Sequence, residues 1–127
     1  MIVGLGVDAV DIARVDQLLT RHPLRAVARL FTAGEASYAG SRPDPIRHFA
    51  ARLAAKEAAY KALAGNELAR AIGWREIEVF AGHDGSPSLT LHGRAARRAT
   101  EIGAARVWVS LTHSDNSAVA VVIVEAR

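Results

Sequence analysis

Among the 127 residues, lysine occurs only at Lys56 and Lys61, and both sit beside Glu57 in the alanine-rich stretch LAAKEAAYKALAG, Leu53 to Gly65. Glu57 and Lys61 are four residues apart, so a helix carries them on one face. Such a pair is common on exposed helices, where it adds only about 0.2–0.5 kcal/mol. Arg52 lies one turn before Lys56, which makes a cationic stripe next to the carboxylate. A carboxylate that holds a hard cation, flanked by cations that take phosphate oxygens, is the chemistry of a metal–phosphate site. Asp8 is the natural second carboxylate, beside Gly4 and Gly6 near the end of an apolar segment. It can equally cap the helix that follows. One carboxylate from a strand end and one from a helix suit Mg²⁺, which takes one or two carboxylates and completes its shell with water and substrate phosphate. Nothing in the spacing brings Asp8 and Glu57 together.

The elements that must do so can be read from periodicity. Ile2 to Val10 reads as a strand, with Val3, Leu5 and Val7 on one face and Ile2, Gly4, Gly6 and Asp8 on the other. Asp11 can cap a helix through Ile12, Val15, Leu18 and Leu19. Pro23 ends that helix or starts the next, which runs through Leu24, Val27, Leu30 and Phe31. Thr32 and Glu35 form a capping box for a third helix. The loop GSRPDP, Gly40 to Pro45, precedes the longest helix, Ile46 to Leu63, with Gly65 as its C′ residue. Asn66 to Gly73 reads as a loop with a helical turn. Ile77–Phe80 and Ser88–Leu91 read as a hairpin around the Gly82–Ser86 turn, and Gly93 to Ile102 as a helix closed by Gly103. Arg106–Leu111 and Ala118–Glu125 are the strongest strands. The order β-ααα-α-ββ-α-ββ is an α+β pattern, in a length that suits one domain, residues 1–127.

Composition narrows the function. Sixteen basic residues against thirteen acidic ones leave a net charge of +3, which favours an anionic substrate or partner. Aromatic residues make up 6% of the chain, too few for a base-stacking surface, so a basic nucleic-acid binder is disfavoured. No run is long enough to span a membrane, the opening MIVGLGVD lacks the pattern of a signal peptide, and there is no cysteine. These features suit the cytoplasm and a protein without membrane contact. His22, His48, His83 and His92 show no metal-ligand spacing.

Four blocks resemble the holo-acyl-carrier-protein synthases. GLGVDAVDIARV, Gly4 to Val15, is similar to that family's opening motif, and ARLAAKEAAYKAL, Ala51 to Leu63, to its central KEA-x-x-K helix. WREIEV, Trp74 to Val79, with the DGSP turn after it, and VSLTHSDNSAVAVVIVE, Val109 to Glu125, resemble the remaining blocks, in family order. The resemblance implies a 4′-phosphopantetheinyl transferase fold, with a small, mainly antiparallel sheet packed against a long central helix. It implies transfer of 4′-phosphopantetheine from coenzyme A to a serine of an apo acyl carrier protein, releasing adenosine 3′,5′-bisphosphate. The carrier serves fatty-acid, polyketide or peptide synthesis. On this basis Asp8 and Glu57 are the Mg²⁺ ligands and Lys61 holds pyrophosphate. Asp8, Glu57 and Lys61 then form the catalytic set, with Glu57 or a metal-bound water taking the serine proton. Arg52, Lys56 and His113 are candidate coenzyme A contacts, and Thr112 and Ser114 are weaker ones.

Arg14, Arg21, Arg25 and Arg29 are spaced by seven, four and four, which makes a basic stripe broken by Pro23. By itself this is a solvated face; the resemblance implies docking of the carrier's acidic helix there. It also implies a homotrimer with active sites between subunits. The chain departs from the family pattern at Leu53, where an aromatic residue is usual. It departs again at Ala64-Gly65-Asn66-Glu67, which replaces a glycine-rich segment, and at Ser86, which replaces a lysine. These changes leave a non-catalytic carrier-protein or coenzyme A binding module as the alternative.

Overall fold

The computed structural model describes all 127 residues. Strand β1 (Ile2–Asp11) leads into three short helices, α1 (Ile12–Arg21), α2 (Pro23–Leu30) and α3 (Ala33–Gly40). The long helix α4 (Pro45–Ala62) is followed by a single turn, α5 (Glu67–Arg70), and a 3₁₀ turn at Trp74–Glu76. The hairpin β2 (Ile77–Ala81) and β3 (Pro87–Leu91), helix α6 (Gly93–Glu101), and strands β4 (Ala104–His113) and β5 (Ser117–Ala126) complete the chain. This is the expected α+β order, with boundaries shifted by one or two residues. The unassigned stretch after α4 does contain a helical turn.

Local chemistry accounts for the ends of the early elements. Asp11 caps α1 by accepting a hydrogen bond from the Ala13 N–H at 3.1 Å. Thr32 and Glu35 form both halves of the capping box that starts α3. Pro23 and Pro45 begin α2 and α4, where a missing N–H costs nothing. Gly65 adopts a φ of 139° just beyond the end of α4, a conformation that side chains disfavour.

Strands β1, β5 and β4 form an antiparallel sheet with β5 in the centre, and β2–β3 stand apart as a two-stranded ribbon. The inner face of β5 presents Ala118, Ala120, Val122 and Val124, all fully buried. Helix α4 lies against that face and against β1. Ten of its eighteen residues are buried, which makes it the axis of the core rather than a surface helix. Six of those ten are alanines, so the helix backbone can come close to the sheet.

The approach is closest at two glycines. A Cβ on Gly4 or Gly6 would run into the carbonyl oxygen of Ala62 or Ala58 respectively, well inside van der Waals contact. At Gly6 the same atom would lie 2.8 Å from the Ala58 carbonyl carbon and 2.9 Å from the Ala62 nitrogen. The glycine face of β1 is thus the inner one. Leu5 and Val7 point outward instead, 64% and 55% exposed. No helix is long and apolar enough to cross a membrane.

Because backbone atoms cannot move aside as a flexible side chain can, Gly6→Ala should destabilise the fold by about 3 kcal/mol, the upper end of ordinary overpacking. Gly40→Ala should be near neutral, since nothing lies within 4 Å of its added Cβ. Urea unfolding of the two variants beside the parent measures the difference.

Candidate active site

The close approach of β1 to α4 brings Asp8, on the glycine face, against the side chains of α4. Asp8 Oδ1 and Lys61 Nζ form an ion pair at 2.8 Å, and the same ammonium donates to the Val7 carbonyl at 3.1 Å. Glu57, one turn earlier on the helix, lies beside Asp8. The capping role open to Asp8 falls to Asp11 instead. Asp8 is thereby free to face Glu57 and Lys61.

The two carboxyls titrate in opposite directions. Burial, then hydrogen bonding to Asp8 and its negative charge, push Glu57 up to about 7. For Asp8, burial acts to raise the pKa, but hydrogen bonds from Glu57 and Lys61 and the lysine charge outweigh it and hold the group below its ordinary value. The bond to Asp8 likewise raises Lys61. With both carboxyls ionised, Asp8 Oδ2 is buried with no hydrogen-bond donor. A proton on Glu57 satisfies that oxygen, and so would a cation between the two groups. This orphaned oxygen and an all-oxygen donor set fit a hard divalent ion such as Mg²⁺. No third histidine, cysteine or carboxylate joins them, which leaves the rest of a metal shell to water and substrate.

Glu57 borders two cavities. One, of about 430 Å³, opens beside Tyr60, Lys61, Arg70, Ile72 and Trp74. The other, of about 330 Å³, is mainly apolar and runs between Val10, Arg14, Leu18, Leu30 and Leu53. Glu57 and Trp74 line both. Tyr60 and Arg70 have no part in the sequence reading, although Tyr60 at i+3 from Glu57 shares its side of the helix.

Lys56 requires a correction. It is no free cation on an electropositive flank but is 1% exposed, with Nζ 2.6 Å from Glu35 Oε1. It donates to the carbonyls of Trp74 at 2.8 Å and Ile77 at 2.6 Å. These three bonds use every hydrogen of the ammonium, so none is left for a coenzyme A phosphate. The sequence separates Lys56 from Glu35 by 21 positions, and only the packing of α3 against α4 pairs them.

Arg52 is also buried, 4% exposed, on the side of α4 that faces α3. Its guanidinium lies 4.3 Å from the centroid of the Tyr38 ring, over which Arg42 sits at 4.2 Å. Nη1 donates weakly to the His48 carbonyl at 3.4 Å, and Nε is buried without a partner. Burial and then the charges of Arg52 and Arg42 lower the pKa of His48, and His113 adds to the same effect. Arg52 and Arg42 thus form a second cationic pair, close to His48 and His113, with the Arg52 Nε donor unsatisfied. Neither Arg52 nor His113 lines the cavities at Glu57. Five residues of helix put Arg52 roughly 140° round and about 7.5 Å along from Glu57. Ser114 is taken up by its own turn, where Oγ accepts from the N–H groups of Asn116 and Ser117. Thr112 is exposed at the end of β4.

Arg14, Arg21, Arg25 and Arg29 are all exposed on α1 and α2, and none makes an ion pair. Arg14 also lines the apolar cavity, and its charge acts on Glu57. Beside the arginines, Leu24 is 88% exposed and Leu18 40%.

Comparison with known proteins places these features in a family. The model of the 4′-phosphopantetheinyl transferase superfamily matches residues 4–122. The holo-[acyl-carrier-protein] synthase of Anaeromyxobacter sp. (strain K) is 46% identical over 128 aligned positions, covering 98% of this chain and 97% of the relative. That of Geobacter sulfurreducens is 42% identical, with 98% of each chain covered. Among solved structures, the Neisseria meningitidis holo-[acyl-carrier-protein] synthase superposes with a TM-score of 0.86 at 26% identity, over 98% of this chain and 99% of that one. The Bacillus anthracis synthase, solved in complex with CoA (3′,5′-ADP), gives 0.79 at 29% identity, over 100% of this chain and 99% of that one. Family-model coverage of nearly the whole chain, full-length relatives and a shared fold together show that this chain belongs to the 4′-phosphopantetheinyl transferase superfamily, among its holo-[acyl-carrier-protein] synthases.

Proposed function

We propose that the chain, as a single domain of residues 1–127, transfers 4′-phosphopantetheine from coenzyme A to a serine hydroxyl of an apo acyl carrier protein and releases adenosine 3′,5′-bisphosphate. The observation that carries this is the cluster of Asp8, Glu57 and Lys61, of which Glu57 borders two cavities and Lys61 the larger one. Asp8 and Glu57 would hold Mg²⁺, which when bound neutralises the pyrophosphate and the charge that develops on the leaving group. Lys61 is exposed and tethered only to Asp8 and the Val7 carbonyl, so its ammonium can turn to a phosphate oxygen. The chain needs no nucleophile of its own because the carrier's serine supplies it. Glu57, or a water on the metal, would receive that serine's proton.

Arg52 and His113 are suited to a phosphate of coenzyme A, since a buried guanidinium with a free N–H is an anion site in waiting. They lie away from Glu57 within one chain, which supports a site completed between subunits. The outward face of the sheet supports such an assembly: Leu5, Val7 and Trp108 are all at least half exposed there. We therefore read the working form as a homotrimer. The exposed arginines of α1 and α2, with Leu18 and Leu24 among them, suit an acidic amphipathic helix of the carrier. A chain without cysteine suits the cytoplasm.

The protein is incubated with an apo carrier, coenzyme A and Mg²⁺, and the carrier is weighed by mass spectrometry. A gain of one phosphopantetheine is the expected result; no gain with carriers of all three biosynthetic types would leave a binding module. Glu57→Gln should lower kcat/KM by about 10²–10⁴-fold while the fold persists. Charge reversal at Arg25 and Arg29 should raise KM for the carrier and flatten its salt dependence, with KM for coenzyme A unchanged.

The raised pKa of Glu57 has a sign that can be checked without activity. A carboxyl that titrates higher when folded than when unfolded stabilises the fold below about 4.5, and this contribution is lost as pH rises towards 7. In metal-free buffer the stability advantage of the parent over Glu57→Gln should therefore shrink across that window. A flat difference in urea midpoints would contradict the assignment.

A further inference from the structure

The ion pair between Lys56 and Glu35 has no exposed atom on either side chain. Glu35 is already committed elsewhere: Oε1 accepts from the Thr32 N–H at 2.8 Å and Oε2 from the Val79 N–H at 2.8 Å. Replacing such a pair by apolar side chains of similar volume often leaves a protein as stable or more so. Stability alone is a poor reason for burying it. What an apolar pair cannot supply is direction. Two of the three bonds from Lys56 go to main-chain carbonyls, those of Trp74 and Ile77. Both residues line the larger cavity together with Glu57 and Lys61 of α4, so the segment they bound forms part of its wall. Trp74 also lines the apolar cavity.

On its other side the same segment is held to α6 and the end of β3. Glu76 pairs with Arg94 at 2.6 Å, and its carbonyl accepts from the His92 N–H at 2.8 Å. Lys56 supplies the hydrogen bonds that tie the wall to α4. It precedes Glu57 in the chain, so the wall and a proposed metal ligand are referenced to adjacent residues of one rigid helix. We propose that Lys56 is a positioning residue that sets the width of the coenzyme A cleft by tying the Trp74–Ile77 wall to α4, with Glu35 as its counter-ion. This rests on reading the cleft as the coenzyme A site, and it assigns Lys56 no contact with substrate.

The proposal separates two effects that a merely structural role would join. Glu35→Gln removes the counter-ion, yet the amine in either charge state keeps at least two N–H groups for the two carbonyls. That variant should melt at a lower temperature while KM for coenzyme A stays within twofold of the parent. The double variant K56M/E35Q removes the buried charges and both carbonyl bonds. It should fold, keep kcat within threefold, and raise KM for coenzyme A about tenfold.

The chain has two tryptophans, so a Trp108→Phe background makes Trp74 the only emitter. Acrylamide quenching of the unliganded protein should then double in the double variant and stay unchanged in Glu35→Gln. A folded K56M/E35Q with parental KM and parental quenching overturns the proposal. So does a KM that rises in step with lost stability in Glu35→Gln, and that single variant decides alone if the double one does not fold. Quenching needs no turnover. A parent chain that transfers nothing would defeat the proposed enzymatic function, and quenching would still judge the role of Lys56.

Discussion

The structure depends on a contact from which side chains are absent. Strand β1 runs so close to α4 that the places where Cβ atoms of Gly4 and Gly6 would stand are filled by the backbone of Ala58 and Ala62. A strand and a helix normally pack through interlocking side chains. Here one partner contributes only its main chain, and the helix contributes alanines. The consequence appears two residues further along the strand. Asp8 shares the glycine face, and at so short a separation its carboxyl meets Glu57 and Lys61 directly. With ordinary side chains at Gly4 and Gly6, the strand would stand off and Asp8 would lose its place beside them.

Helix α4 then distributes its charges by depth. Lys61, near its C-terminal end, reaches the surface and keeps an exposed ammonium. Glu57 is partly buried, enough to raise its pKa and to leave a shared proton or a cation as the remedy for the Asp8–Glu57 repulsion. Lys56 and Arg52 are buried, but to different ends. Every donor of Lys56 is satisfied inside the protein, whereas the Nε of Arg52 is not. Four charged residues of one short motif thus have four environments. Distance around and along the helix decides which meets solvent, which meets the strand and which meets α3.

This sorting bears on chemistry. A cluster of two carboxyls and an exposed ammonium has the donors to organise a cation and a pyrophosphate. Arg52 and His113 line neither of the cavities that Glu57 borders. The outer face of the sheet leaves apolar side chains exposed at Leu5, Val7 and Trp108.

Much of this was legible in the sequence, because it is local. Capping residues, the proline starts and the turn at HDGS mark their elements by their own backbone preferences. The four blocks in family order carry the identity of the fold and single out Asp8, Glu57 and Lys61, side chains that the fold brings together. Burial was not legible. Lys56 reads as a surface cation because four residues of helix sequence say nothing about what packs on the helix, and Glu35 reads only as half of a capping box. Nor did Tyr60, Arg70 or Trp74 announce themselves, since a cavity wall is assembled from segments with no common period. By itself, then, the sequence determined the elements, their order and the residue types able to bind a metal and a phosphate, all set by interactions within a few residues. Only the tertiary structure decided which of those charges reach the cleft and which are paired inside the protein, because solvation and ion pairing depend on neighbours that are distant along the chain.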